Sequence, residues 1–234
     1  MIRFAPVLAA LLATLIGAQP ASAATRNYTV TSFDRIRVDG PYSIRLQTGT
    51  SPFARASGSA QALDGLSVRV EGRTLVVRRN ASAWSSSPMR AQEPVELSVG
   101  THELGTAILN GAGTLLIDRV KGLSFELSAQ GAGLAEIGEV QADRLVVALA
   151  GTVTARVAGK ALKFTALLRG ASSLDASALA AKDGVLSAEG PAQLSARLLE
   201  TARIDASGVA QVAVTGDPAC TVKLLGSASV TGCR

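Results

Sequence analysis

A glycine recurs at almost constant spacing through the second half of the chain, at intervals of 18 to 20 residues. Periods of this size are typical of solenoids and repeat arrays, in which each short unit gains a core only by stacking on its neighbours. Glycine also adopts the positive φ that tight turns between strands often need. We therefore expect these glycines to be structural turn residues. They are Gly111, Gly131, Gly151, Gly170, Gly190, Gly208 and Gly226.

Small or apolar residues alternate with other residues after each of these glycines. After Gly131, for example, Gly133, Ala135 and Ile137 alternate with positions that include Glu136. A period of two is the pattern of a half-buried β-strand. A second apolar patch completes each unit, so we expect two short strands per unit. Its members are Phe125, Leu127, Leu145, Val147, Phe164, Ile204, Val222 and Leu224.

The composition suits a narrow, stacked core. Aromatic residues make up only 3% of the chain. Equivalent side chains on successive rungs, or full windings of a solenoid, lie about 4.8 Å apart, and ladders of small aliphatic residues fit that spacing. Ala-rich stretches such as residues 176–182 could be helical in isolation, but the alternation favours strands. The sequence predicts an all-β fold, a parallel β-helix or β-solenoid with 18–20 residues per rung.

The regularity of the pattern divides the chain into parts. Residues 24–107 contain irregular β-strands, and residues 108–234 contain the regular glycine-turn repeats. We expect residues 24–234 to fold as one domain, with the irregular strands capping one end, because an uncapped solenoid would stack without limit. A Ser-rich loop is expected at residues 79–92.

The two cysteines, Cys220 and Cys233, lie at the C-terminal end. A disulfide between them would persist in an exported protein, and a loop of about 14 residues contributes about 3 kcal/mol in the chain-entropy model. The alternative is two free thiols. We expect a bridge that pins the second end of the solenoid.

Residues 1–23 have the pattern of a cleaved signal peptide. A positive charge at Arg3 precedes the apolar run 5–18, and the run is followed by Ala21-Ser22-Ala23, an A-x-A cleavage site. The run is short for a bilayer span, although an uncleaved anchor helix is the alternative. We expect a mature chain without a transmembrane segment, in the periplasm of a Gram-negative bacterium or secreted from it.

Residues suited to catalysis are sparse. Glu136, Arg156 and Asp175 occupy one outward position on successive rungs. The two carboxylates could imitate an inverting glycosidase pair, but the intervening arginine favours a salt-bridge ladder. Glu136, Glu139 and Asp143 lack the spacing of a calcium loop, and a single histidine, His102, excludes a multi-histidine metal site. We expect no catalytic, metal or cofactor-binding residues, and a surface position for His102.

One aromatic residue is a candidate for surface contacts. Trp84 lies in the Ser-rich loop, where it could face a partner or pack against the cap. The basic residues that give the net charge of +5 are scattered along the chain, and the tyrosines and tryptophan that could stack on bases number only three. Nucleic-acid binding is therefore not expected.

Parts of the sequence resemble the putative auto-transporter adhesin, head GIN domain family. The resemblance is carried by the segments 33–44 and 66–77 and by Gly-Ala-Gly at 111–113 and 131–133, and it covers roughly residues 31–230. It implies a right-handed β-helix, similar to the pectin lyase type, in exported bacterial proteins without a recognised catalytic set. It also implies adhesion or surface interaction. From Gly151 onward the second small turn residue is replaced, which departs from the family in turn detail.

These observations favour an exported, non-enzymatic β-solenoid that presents an extended surface to a glycan or protein of the envelope. One alternative is a carbohydrate-binding or polysaccharide-processing protein on a pectin-lyase-like β-helix, which would gather acidic residues in a groove. The other is a purely structural envelope protein that associates through its faces or ends.

Overall fold

The computed structural model describes residues 24–80 and 95–234, and these form a parallel β-solenoid of about six rungs. The predicted all-β solenoid is confirmed. The signal-peptide segment and Trp84 lie outside the described residues. The elements are β1 (Ala24–Tyr28), β2 (Arg35–Asp39), β3 (Ser43–Thr48), β4 (Phe53–Gly58), α1 (Ala60–Asp64), β5 (Leu66–Glu71), β6 (Thr74–Arg79), β7 (Glu96–Thr101), β8 (Thr106–Gly111), β9 (Thr114–Gly131), β10 (Leu134–Gly151), β11 (Thr154–Arg169), β12 (Ser173–Gly190), β13 (Gln193–Gly208), β14 (Gln211–Thr215), β15 (Ala219–Gly226) and β16 (Ser229–Thr231).

Strands β9 to β13 stack in parallel, each pairing with the next. Each is a single strand of 16 to 18 residues that runs from one glycine turn to the next. This differs from the two short strands expected per unit. The reason is that the ladder continues through the corner between the two sides of a rung, so the backbone pairing is interrupted only locally.

The apolar columns that follow the glycines form the interior. Leu115, Ala135, Ala155, Leu174 and Leu194 are all at most 2% exposed, and they lie one above another. Most of the second apolar patch is buried beside them, Phe125 and Phe164 included. Because equivalent residues contact each other along the axis, this core is continuous from rung to rung.

Two members of the second patch are not buried. Val222 and Leu224 on β15 are 40% and 46% exposed. They continue the columns of Ile204 and Ala206, which are buried. The expectation that every rung buries this patch fails at β15 because no further rung of the described chain covers it.

The glycine interval varies between rungs, and one corner of the solenoid absorbs the variation. Between β10 and β11, the ladder skips Gly138 and Glu139 on one strand against only Ala158 on the other. Between β12 and β13 it shifts twice, so that β13 crosses the corner with two residues fewer. The flat sides stay in register because each of their hydrogen bonds depends on it, whereas a corner tolerates bulges.

The seven turn glycines lie directly above one another. Gly111 pairs with Gly131, and Gly131 pairs with Gly151. All seven have a positive φ, between 79° and 111°. A Cβ atom on Gly151 would lie 2.5 Å from the carbonyl oxygen of Gly131, which accepts a 2.8 Å hydrogen bond from the N–H of Thr152. Both the backbone conformation and the close stacking therefore require glycine here.

The N-terminal end is closed by antiparallel pairs and a short helix. Strand β4 pairs with β1 and β7, and β5 pairs with β6, all antiparallel. Helix α1 contacts β1, β4 and β5, and its Leu63 side chain is 1% exposed. The Ser59 hydroxyl caps α1 by accepting a hydrogen bond from the N–H of Ala62. The helix was not expected from the sequence, which indicated only irregular strands.

At the C-terminal end, Cys220 on β15 forms a disulfide with Cys233, which follows β16. In the described residues, β15 pairs only with β13, and β16 pairs only with β14. The bridge therefore ties β15 to the segment that follows β16, and these two strands otherwise rest on different sides of the solenoid.

We predict that Gly151→Ala lowers the free energy of unfolding by about 2–3 kcal/mol, because alanine is strained at positive φ and its Cβ crowds the Gly131 carbonyl. Chemical denaturation followed by circular dichroism measures the effect. Gly122→Ala is the matched control, since Gly122 lies on β9 with no atom within 4 Å of an added Cβ. Equal stability of the two variants would contradict this account of the glycine column.

Candidate ligand-binding groove

Each long strand passes a corner, and we call the part before the corner the first side of the rung and the part after it the second side. A groove with a cavity volume of about 700 Å³ crosses the second side of the last rungs. It is lined by residues of β10, β11, β12, β13 and β15. Because the lining residues pair in register from strand to strand, the groove runs along the solenoid axis. We call it the axial groove. Its lining residues are Arg144, Lys163, Phe164, Thr165, Asp183, Gly184, Val185, Thr201, Ala202, Arg203, Ala219, Cys220 and Thr221.

Two outward columns flank the axial groove. One column contains Arg144, Lys163, Asp183, Thr201 and Ala219, in that order along the axis. The other lies two residues further along each strand. Its groove-lining members are Thr165, Val185, Arg203 and Thr221.

The inward residues between these columns also line the groove, and they become small beyond Phe164. Phe164 is succeeded along the axis by Gly184 and then by Ala202. A Cβ atom on Gly184 would overlap the side chain of Leu198, which is fully buried. Leu198 therefore fills the interior space beneath Gly184 that a larger side chain would need. The same strands have just passed the corner where the rung shortens, so the groove lies beside a change in rung size.

The charges in the axial groove are mainly positive. Among the described residues, Arg144 and Lys163 form no ion pair, and Arg203 lies 3.7 Å from Asp205. The single acidic residue of the lining, Asp183, accepts a 2.6 Å hydrogen bond from the Thr201 hydroxyl. The groove therefore offers two cationic groups without a carboxylate partner and a third that Asp205 shares.

The family model for the putative auto-transporter adhesin, head GIN domain, matches residues 32–218. The chain belongs to this family. No curated protein matches the chain. The resemblance to this family that the sequence indicated is thus confirmed over residues 32–218. The word adhesin here describes the family.

Solved structures of similar fold include a putative adhesin from Bacteroides fragilis, with a TM-score of 0.81 and 18% identity, covering 92% of this chain and 97% of that one. A putative lipid binding protein from Parabacteroides distasonis has a TM-score of 0.69 and 18% identity, with coverage of 91% and 96%. A putative adhesin from the same species has a TM-score of 0.67 and 13% identity, with coverage of 90% and 96%. At these identities the likeness shows a shared fold.

The predicted charge ladder on the first side is present in register but not as ion pairs. Glu136 pairs with Arg156, and Arg156 pairs with Asp175, as strand neighbours. Asp175 instead accepts hydrogen bonds from the hydroxyl and the N–H of Ser177, at 2.6 and 3.1 Å. These bonds lower the pKa of Asp175, and the more distant Arg156 lowers it further. The Asp175 carboxylate thus bonds to Ser177 on its own strand and not, as the ladder predicted, to the arginine of the neighbouring rung.

The other residues considered in the sequence lie apart from the axial groove. His102 is exposed in the bend after β7, where its carbonyl oxygen accepts a bond from Gly49. Glu139 accepts a 2.7 Å bond from Gln141. Within residues 24–80 and 95–234, no group of three or more acidic, histidine or cysteine residues is arranged to hold a metal ion. No helix in these ranges is long and apolar enough to cross a bilayer.

A second cavity of about 680 Å³ lies at the N-terminal end, between Tyr28 and Phe53. Burial raises the pKa of the Tyr28 hydroxyl, and the nearby Arg26 guanidinium opposes that rise. Phe53 is 36% exposed. This cavity has aromatic walls but a single charged lining residue, Arg55, which donates a 3.0 Å bond to the Asn27 side chain. Its chemistry is therefore more neutral than that of the axial groove.

Sequence reasoning missed the axial groove because it concentrated on the first side of each rung. Arg144, Lys163 and Asp183 lie 12 or 13 residues after Gly131, Gly151 and Gly170 respectively. Alignment on the glycines could have found this column. The small residues at Gly184 and Ala202 give the second signal, since they interrupt the apolar patch of Phe125, Leu145 and Phe164.

We predict that Ser177→Ala raises the pKa of Asp175 towards its ordinary value, because the two strongest bonds to the carboxylate weaken or disappear. In the wild-type protein this group adds stability at pH above the unfolded pKa, and that stability is lost as the pH falls through the lowered folded pKa. An NMR titration of the Asp175 side chain tests this. Ser173→Ala, on the same strand, is the control and should leave the titration unchanged.

Proposed function

We propose that the protein is an exported, non-enzymatic, adhesin-like binding protein that contacts an acidic glycan of an envelope or cell surface through the axial groove. Membership of the adhesin family supports the general role. The observation that carries the ligand class is the pair of unpartnered cations, Arg144 and Lys163, on neighbouring strands of the groove.

The form of the axial groove favours a polymer over a small molecule. Sites for small ligands are usually concave pockets that bury most of the ligand surface. The axial groove instead crosses five strands and presents polar side chains, Thr165, Thr201 and Thr221, along its length. Hydroxyl groups can donate to and accept from sugar hydroxyls, and cations attract carboxylate or sulfate substituents. A linear acidic glycan satisfies both sets of groups.

A binding role fits the groove better than hydrolysis. Glycosidases position two carboxyl groups across the scissile bond. Asp183 is the one acidic side chain among the described lining residues, and the Thr201 hydroxyl already bonds to it. The groove therefore has cations for recognition without the carboxyl pair that general acid and base steps require.

Export is supported by chemistry at both ends of the sequence. Residues 1–23 have the features of a signal peptide, and the Cys220–Cys233 disulfide suits an oxidising compartment. We place the mature protein in the periplasm or outside the cell.

We predict that Lys163→Glu weakens binding to polygalacturonate, an acidic test glycan, by about fivefold or more, because a surface charge contact contributes about 1 kcal/mol. Lys160→Glu on the same strand is the matched control, since Lys160 is exposed outside the groove lining. Titration calorimetry of both variants at two salt concentrations measures the effect. Dextran, a neutral glycan, should bind to neither.

Equal losses in the two variants would show attraction by net charge alone and would remove the groove from the proposal. Binding of dextran as strong as that of the acidic polymer would remove the ligand class. Shortening of the polymer during incubation would favour the polysaccharide-processing alternative over the adhesin-like role.

A further inference from the structure

The C-terminal end of the solenoid leaves a cross-section of the core uncovered. Cys220, Val222 and Leu224 continue the inward columns of Ala202, Ile204 and Ala206, whose side chains are at most 3% exposed. Val222 and Leu224 are nonetheless 40% and 46% exposed. In every earlier rung of the regular region, the next rung covers these positions. The end therefore exposes apolar side chains. Among the described strands, β15 and β16 each also have one edge whose backbone groups pair with no other strand.

The two ends of the solenoid differ in chemistry. At the N-terminal end, α1 with its buried Leu63 lies over β1, β4 and β5, and Arg26 on β1 forms a 2.6 Å ion pair with Asp64. Charged and polar side chains on an edge strand oppose further strand pairing. Stacking of the C-terminal end of one copy onto the N-terminal end of another would therefore set an apolar surface against a closed, charged one.

We propose that two copies of the chain associate end to end through their C-terminal rungs, with β15 of each copy pairing antiparallel to β15 of the other. Contact between identical ends is isologous, so it closes at a dimer and leaves the capped N-terminal ends outward. A second copy is the natural occupant, because a rung of this chain has the width and the alternating pattern that the uncovered rung needs.

The sequence of β15 is self-complementary in this arrangement. With the two-fold axis at Val222, Leu224 lies opposite Cys220 of the second copy, so the apolar positions meet on the interior face. Lys223 then lies opposite Thr221 of the second copy, so the single charge of β15 does not face its own counterpart. Like charges in directly opposed positions destabilise a strand pair, and this register avoids that cost.

The dimer would also bring two axial grooves onto one face. The groove ends on Ala219 and Thr221, which are residues of β15. A two-fold axis perpendicular to the β15 face keeps both copies' grooves on the same face, offset by four residues along the strands because Cys220 lies opposite Leu224 of the second copy. The association stands without reference to the groove's ligand, but it would give an extended polymer two equivalent binding segments.

The expected interface is small. A single rung supplies fewer residues than the 20 to 30 per partner of a standard stable interface. Association should therefore depend on concentration, and the state of the protein has to be measured over a wide range.

Sedimentation velocity of the purified protein at increasing concentration tests the proposal. We expect a shift from monomer to dimer with no larger species. Leu224→Glu should raise the dimer dissociation constant more than tenfold, because it places a charge at the uncovered core. Leu162→Glu is the matched control, since Leu162 is 53% exposed on β11 in the middle of the solenoid, and it should dimerise like the wild type.

A measurement on the unmodified protein guards against misfolding of the variant. Amide hydrogen exchange in β15 should slow as concentration rises, whereas exchange in β1 at the opposite end should not change. A wild-type protein that stays monomeric at all concentrations overturns the proposal. So do species larger than a dimer, a Leu224→Glu variant that dimerises as before, or concentration-independent exchange in β15.

Discussion

The structure depends on the parallel, in-register stacking of equivalent residues one rung apart. Each rung contributes backbone donors and acceptors to its two neighbours, and each inward side chain contacts the same position above and below. Rungs about 4.8 Å apart stack equivalent residues directly on one another, and a Cβ on Gly131 or Gly151 would lie 2.6 or 2.5 Å from the carbonyl oxygen of the preceding turn glycine. For this reason Gly131 and Gly151 share a conformation and a column, and the interior consists mainly of aliphatic residues.

This constraint confines variation to the corners, the outward positions and the ends. A rung can lose one or two residues only at the corner, as β11 and β13 do, because a shift on a flat side would turn the interior outward. Outward positions are free to carry function, and the axial groove lies between two such outward columns, on the strands that follow the shortened corner. An end has no second neighbour, which explains why α1 covers one end and why Leu224 is exposed at the other.

The glycine register predicted most of the regular region from the sequence, including the alternation at Leu115 and Ala155 and the outward alignment of Glu136, Arg156 and Asp175. It did not predict helix α1, because five residues carry little periodic signal. The ion pairs expected along the outward column also fail, since the Ser177 hydroxyl and N–H lie closer to Asp175 than the next rung does. Whether a carboxylate bonds to a local donor or to a residue of the next rung depends on side-chain geometry, which the spacing of residues in the sequence does not contain.

The amino-acid sequence by itself determined the solenoid, its rung length and its turn glycines, because a repeated pattern stabilises only a structure that repeats with it. It also placed the two cysteines close enough along the chain to pair. Only the tertiary structure decided which outward residues meet and which end is closed. Arg144, Lys163 and Arg203 are separated by 19 to 59 residues, and they line one groove because the rungs bring them together. Val222 and Leu224 have the same pattern as buried residues, and they are exposed because burial depends on a neighbouring rung.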